Sequence, residues 1–87
     1  MPDPRDVLIY KLLLKIVGVL VDRPEVVVIE TQDQRTTFRI RANPADVGKV
    51  IGRQGRTSQS LRVLAGTMGK KLNWRFVVEI EEVNKSL

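Results

Sequence analysis

The chain has 87 residues, and its 15 lysines and arginines outnumber 10 aspartates and glutamates, for a formal net charge of +5 and a pI near 10.1. That length suits one domain with one core, and 43% hydrophobic residues are enough to build it. With no cysteine and no histidine, a disulfide framework, thiolate metal ligands and the commonest general base are all excluded, so neither catalysis nor a cofactor is expected.

The polar start Met1-Pro2-Asp3-Pro4-Arg5-Asp6 does not read as a signal peptide. Asp3 before Pro4 announces a helix, and Leu8, Leu12, Ile16 and Leu20 align four apart as its apolar stripe. Ile9, Leu13 and Val17 form a second row that widens the stripe, while Lys11 and Lys15 mark the wet side. These lysines also interrupt the apolar run from Val7 to Val21, which is too short to span a bilayer, so a soluble cytoplasmic protein with no membrane insertion is expected. Pro24 ends the helix by about Arg23.

Val26-Val27-Val28-Ile29 is β-branched throughout and predicts a strand, followed by a polar turn at Gln32-Asp33-Gln34. Phe38 and Ile40 then alternate with Thr37, Arg39 and Arg41, a second strand with one buried and one wet face, and the two strands form a hairpin. Asn43-Pro44-Ala45-Asp46 supplies a cap, a proline at the first helical position and a first-turn acid; Val47 and Ile51 share one face of the short helix that follows and ends at Gly52.

Leu61, Leu64, Ala65, Met68 and Leu72 predict an amphipathic helix from about Arg56 to Lys71. Gly66 and Gly69 each weaken it by about 1 kcal/mol relative to alanine, so its last turns are expected to be loose or cut short. Asn73 can end it, after which Phe76, Val78 and Ile80 alternate with Val77, Glu79 and Glu81 as a third strand. The order helix, strand, strand, helix, helix, strand implies an α+β fold with one mixed sheet and the helices on a single face, the last strand reached by a right-handed parallel crossover. The ordered core is expected over about residues 4–82, with mobile ends.

Gly52-Arg53-Gln54-Gly55, between the two later helices, is the stretch that points to chemistry. Glycine lets another molecule approach the backbone. The first amides of a helix starting near Arg56 lack intrahelical partners and carry the positive end of its dipole, so the loop can receive an anion such as phosphate. Spacing alone does not establish this, because Gly66 and Gly69 repeat it inside a helix pattern. Charge adds weight: from Val47 through Leu72 there is no acid, whereas Lys49, Arg53, Arg56, Arg62, Lys70 and Lys71 are basic. A basic side around a backbone anion site is the footprint of a nucleic-acid binder; its plain alternative is a solvated basic face. A P-loop is not indicated, since Gly52 through Ser58 lacks the Gly-Lys-Ser/Thr ending.

Val47-Gly48-Lys49-Val50-Ile51-Gly52-Arg53-Gln54-Gly55-Arg56 resembles the signature of the KH domain, an apolar helix end followed by a Gly-x-x-Gly loop and a second helix. The element order resembles the type II, bacterial arrangement of that fold. Leu20-Val21-Asp22-Arg23-Pro24-Glu25, the run from Asn43 to Gly52 and the overall length are similar to the KhpA group of small bacterial single-KH proteins. The resemblance implies sequence-tolerant binding of single-stranded RNA, with about four nucleotides lying along a groove beside the loop, in the service of post-transcriptional regulation or RNA chaperoning.

Position by position, the resemblance makes Gly52, Arg53, Gln54 and Gly55 the phosphate grip, with Lys49 and Arg56 flanking it. It makes Val47, Val50, Ile51, Phe38, Ile40 and Arg41 groove or floor positions, for which plain core packing is the rival role. It also implies protein partners, as a homodimer or in a heterodimer with a larger KhpB-like protein, and the broad apolar surface of the first helix is the candidate contact. The chain departs from the family pattern at Gly66 and Gly69, where alanine-like residues are usual. Few aromatics are present for base stacking: Trp74 and Tyr10 are the only amphipathic rings, and Trp74 reads more readily as a packing anchor than as a stacking platform.

Overall fold

Seven short elements account for nearly all of residues 3–83, the part of the chain that the computed structural model describes. Helix α1 spans Pro4–Leu20, strands β1 and β2 span Glu25–Gln32 and Arg35–Ala42, helix α2 spans Pro44–Ile51, a 3₁₀ turn covers Arg53–Gly55, helix α3 spans Arg56–Leu72 and strand β3 spans Arg75–Glu82. The expected mobile ends fall on residues 1, 2 and 84–87, outside the described part. No helix among the described residues is long and apolar enough to cross a membrane.

The sheet is three-stranded and mixed, in the order β1-β2-β3. β1 and β2 pair antiparallel through a two-residue turn in which Asp33 and Gln34 both take left-handed φ values, 52° and 59°, the geometry that matches the twist of a tight hairpin. Gln32, expected in the turn, is the last residue of β1. The ladder slips between Val28 and Glu30, leaving Ile29 as an extra residue. β2 and β3 run parallel, with α2 and α3 forming the crossover between them. This is the α+β arrangement that the order of patterns implies, the type II order of helix, strand, strand, helix, helix, strand.

The core lies between the sheet and the helices. Ile9, Leu13 and Val17 from α1, Val26 from β1, Phe38 and Ile40 from β2, Val50 from α2, Leu61 and Ala65 from α3, and Phe76 and Val78 from β3 are all buried. The rings of Phe38 and Phe76 meet at its centre, 6.0 Å apart between centroids.

Four expectations are corrected here. In α1 it is the second apolar row, Ile9-Leu13-Val17, that is buried, while Leu8 and Leu12 of the first row are 52% and 38% exposed. The rotation is set by Asp6, which heads the buried row and is itself buried. Its carboxylate accepts the Thr36 hydroxyl at 2.6 Å, the Thr36 oxygen accepts the Trp74 indole N–H at 2.9 Å, and the Arg5 guanidinium lies 4.4 Å from the Trp74 ring centroid. Turning α1 to bury Leu8 and Leu12 would break that chain of bonds. Trp74 is thus partly buried and bonded within the fold, as a packing anchor would be. Thr37, expected on the wet face, is buried because it is a short side chain on the central strand, between Glu30 and Val77. Finally, α3 is neither loose nor short at its glycines. Gly69 is buried against the chain that leaves the helix, where a Cβ would strike the Trp74 carbonyl oxygen, and its own carbonyl accepts the Trp74 N–H at 2.9 Å. Leu64, expected on the buried side of α3, is 48% exposed.

Two stability outcomes follow. Thr36→Val keeps the shape but strips a partner from both the Asp6 carboxylate and the Trp74 N–H, and should cost about 2–3 kcal/mol, a melting point lower by roughly 10–20 °C in calorimetry. The two α3 glycines should respond with opposite sign in denaturant unfolding. A Cβ at Gly66 meets nothing within 4 Å, so Gly66→Ala should stabilise by about 0.5–1 kcal/mol, whereas Gly69→Ala should destabilise by about 1–3 kcal/mol through overpacking.

Candidate nucleic-acid interface

α2 is held at both ends by its own sequence. The Asn43 side chain accepts the Asp46 amide at 2.9 Å, Pro44 fills the first turn, and Asp46 offers its carboxylate to Lys49 Nζ at 3.2 Å. Val50, 0% exposed, plugs the helix into the core. Val47 is only half-buried and Ile51 is 38% exposed, so the expected Val47–Ile51 face is shifted by one residue.

The helix stops at Gly52, whose φ of 79° lies in the region that favours glycine, and the Gly52 N–H closes the last turn on the Gly48 carbonyl at 2.8 Å. A Cβ at Gly52 would run into the Thr57 side chain and come within 2.9 Å of its backbone nitrogen. Glycine is therefore required here twice over, by conformation and by the close return of α3. Gln54 and Gly55 are also left-handed, at φ 57° and 73°, and Gly55 directly precedes the first residue of α3. A Cβ at Gly55 would find only the Ser58 hydroxyl, at 3.9 Å, so its glycine answers to conformation alone.

Helical backbone at Arg53 followed by left-handed Gln54 is the alternation of an anion-receiving concavity. The Gly55 N–H donates to the Gly52 carbonyl at 3.1 Å and the Arg56 N–H to the Arg53 carbonyl, so the Arg53 and Gln54 amides are the ones left to face an anion. No side chain caps the start of α3. Arg53 and Gln54 are exposed and the two glycines half-exposed. Thr57 and Ser58, which the motif reading passed over, hold the corner from behind: Thr57 packs against Gly52, and the buried Ser58 hydroxyl donates to the Gly55 carbonyl at 3.0 Å. A Ser or Thr in the first turn after a glycine is the signal that marks such local bonds.

The charges divide by face. On the side of the sheet away from the helices, Arg39 bonds Glu79 at 3.0 Å and Glu81 at 3.2 Å, and Arg41 bonds Glu81 at 3.1 Å and lies 3.8 Å from Glu25. Around the loop the pattern reverses. Among the described residues no carboxylate comes within 4.0 Å of Arg53, Arg56, Arg62, Lys70 or Lys71, and the Arg56 guanidinium instead meets the Gln54 side chain at 3.1 Å.

The positions inferred from the motif are thus sorted. Gly52, Arg53, Gln54, Gly55 and Arg56 form one accessible corner, with Lys49 and Ile51 on the turn of α2 leading into it. Val50 and Ile40 are 0% exposed and can serve only as packing beneath a groove. Arg41 does not join them: it stands on the ion-paired sheet face, near the start of α2 rather than its loop end.

A family model described as the KH domain of KhpA/KhpB matches residues 10–80. The chain is 40% identical over 74 residues to the RNA-binding protein KhpA of Listeria monocytogenes, spanning 83% of this chain and 97% of that protein. It is 42% identical over 65 residues to the RNA-binding protein KhpA of Aquifex aeolicus, spanning 72% and 82% of the two chains. To the RNA-binding protein KhpA of Bacillus subtilis it is 37% identical over 71 residues, spanning 79% and 88%. With most of its length matched and its elements in the type II order, the chain belongs to the KhpA/KhpB KH-domain family.

Proposed function

We propose that this chain binds single-stranded RNA at the corner Gly52–Gly55, as a non-catalytic, cytoplasmic post-transcriptional regulator or RNA chaperone of the KhpA kind. The observation that carries the reading is the pairing of an accessible, glycine-obliged backbone corner with Arg53 and Arg56, which have no carboxylate partner among the described residues, in a protein whose open sheet face is neutralised by ion pairs. A phosphate seated on the corner meets the amides of Arg53 and Gln54 ahead of α3, since those of Gly55 and Arg56 are bonded within the corner, and the arginines add long-range attraction. Ile51 offers an apolar wall for a base, over a floor made rigid by Val50 and Ile40. Lys49 joins by leaving an exposed ion pair with Asp46, a contact worth less than about 1 kcal/mol. The names of the three relatives agree with this reading.

The double variant Arg53→Asp/Gln54→Asp tests it, because both side chains are exposed and aspartate tolerates the left-handed backbone at position 54. Binding to a single-stranded oligonucleotide should fall by about tenfold or more and lose part of its salt dependence, while circular dichroism stays native. Undiminished affinity with a native spectrum would overturn the mechanism.

A second reading, self-association or pairing with a larger KhpB-like protein, is favoured by one observation: Leu8, Leu12 and Val19 leave an apolar strip along the outer side of α1. Two linked binding sites would raise effective affinity without new RNA contacts. Sedimentation equilibrium should show a dimer that Leu8→Asp/Leu12→Asp dissociates; a monomer at high micromolar concentration, with or without the partner, would rule this out.

A further inference from the structure

At the far end of α3 from the glycine corner, a cleft of about 480 Å³ opens between the helix and the β1–β2 turn, lined by Gly66, Lys70, Trp74, Arg75, Asp33 and Gln34 among others. Lys70 and Arg75 are both exposed, and no carboxylate among the described residues lies within salt-bridge distance of either. Asp33 is the one acid in the lining; its carboxylate accepts from the Gln32 side-chain amide at 3.5 Å, and two cations share the lining with it. Gly66, at the rim, is not required by the chain's own packing, yet a glycine within a helix costs about 1 kcal/mol against alanine. It leaves bare backbone where a second molecule can come close.

The ground between corner and cleft is equally permissive. Arg56, Ser60, Val63, Thr67 and Lys70 recur at helical spacing along the outer side of α3; all are exposed, and α3 contains no acid. Their path begins and ends in positive charge and carries small or neutral side chains between.

We infer that the bound strand does not end at the glycine corner but continues along the outer side of α3, placing a further phosphate pair at Lys70 and Arg75. The inference rests on the RNA-binding reading and extends its footprint. From Arg56 to Lys70 the helix rises about 21 Å at 1.5 Å per residue. At about 3.4 Å per stacked nucleotide that span takes roughly six nucleotides. An oligomer of about 5 therefore occupies the corner alone, while one of about 12 reaches the cleft.

Fluorescence anisotropy with uridine oligomers of about 5 and 12 nucleotides tests this on wild type, on Lys70→Gln/Arg75→Gln and on Arg53→Asp/Gln54→Asp, each confirmed folded by its thermal melt. Removing the two far cations should weaken the long oligomer about five- to tenfold and lower its salt slope by about 1.4, the product of two phosphates and roughly 0.7 each for single strands. The short oligomer should be unaffected, since 21 Å exceeds the Debye length of about 8 Å at physiological ionic strength. An unchanged affinity and slope for the long oligomer, or equal losses for both lengths, overturns the inference. If the corner variant retains both oligomers, the RNA-binding reading itself fails; if it loses both while the cleft variant keeps the long one, only the extended footprint falls.

Discussion

One short hydrogen-bonded chain sets the geometry of the fold: the Trp74 indole donates to Thr36, and Thr36 donates to the Asp6 carboxylate. A carboxylate out of water is costly unless its oxygens are bonded, so these groups hold their partners in place. Thr36 sits on the central strand, Asp6 on α1 and Trp74 in the link between α3 and β3, so a single hydroxyl ties three separate parts of the chain together. It selects which apolar row of α1 faces the sheet, and it anchors the exit of α3. The far end of that helix is then available to form the glycine corner with α2.

The glycines show how one residue type answers different constraints. Gly52 is imposed by its backbone angle and by Thr57 behind it, Gly55 by its angle, and Gly69 by the Trp74 carbonyl pressed against it. Gly66 is imposed by nothing among the described residues. Two glycine pairs of identical spacing therefore have unrelated physical causes.

Electrostatics separates the two sides of the molecule with equal clarity. On the open sheet face, carboxylates of β1 and β3 stand beside the arginines of β2 in register, and the parallel β2–β3 ladder places Glu79 and Glu81 opposite Arg39 and Arg41. That face offers a polyanion little net attraction. Across α2 and α3 the single acid is Asp46, at the start of α2, and it is paired with Lys49. Binding that depends on phosphates should accordingly belong to the helix side.

Much of this was legible in the residues alone, because the signals are local. Caps, prolines, β-branched runs and alternation act within a few residues of themselves, so the element order, the mixed sheet and the glycine corner could be read directly, and the absence of acids from 47 to 72 needed no coordinates. Decisions between equally good local patterns could not. Both rows of α1 are apolar, and only the Asp6–Thr36 bond across 30 residues chooses between them. Arg41 is as basic as Arg53, and only strand register reveals that one is neutralised by Glu81 while the other has no carboxylate beside it among the described residues. Gly69 looked like a helix breaker, because its justification is a backbone carbonyl from the chain that turns back against it. What tertiary structure decided was which of several locally permitted partners each side chain meets, a quantity that depends on distance in space and has no trace in sequence periodicity.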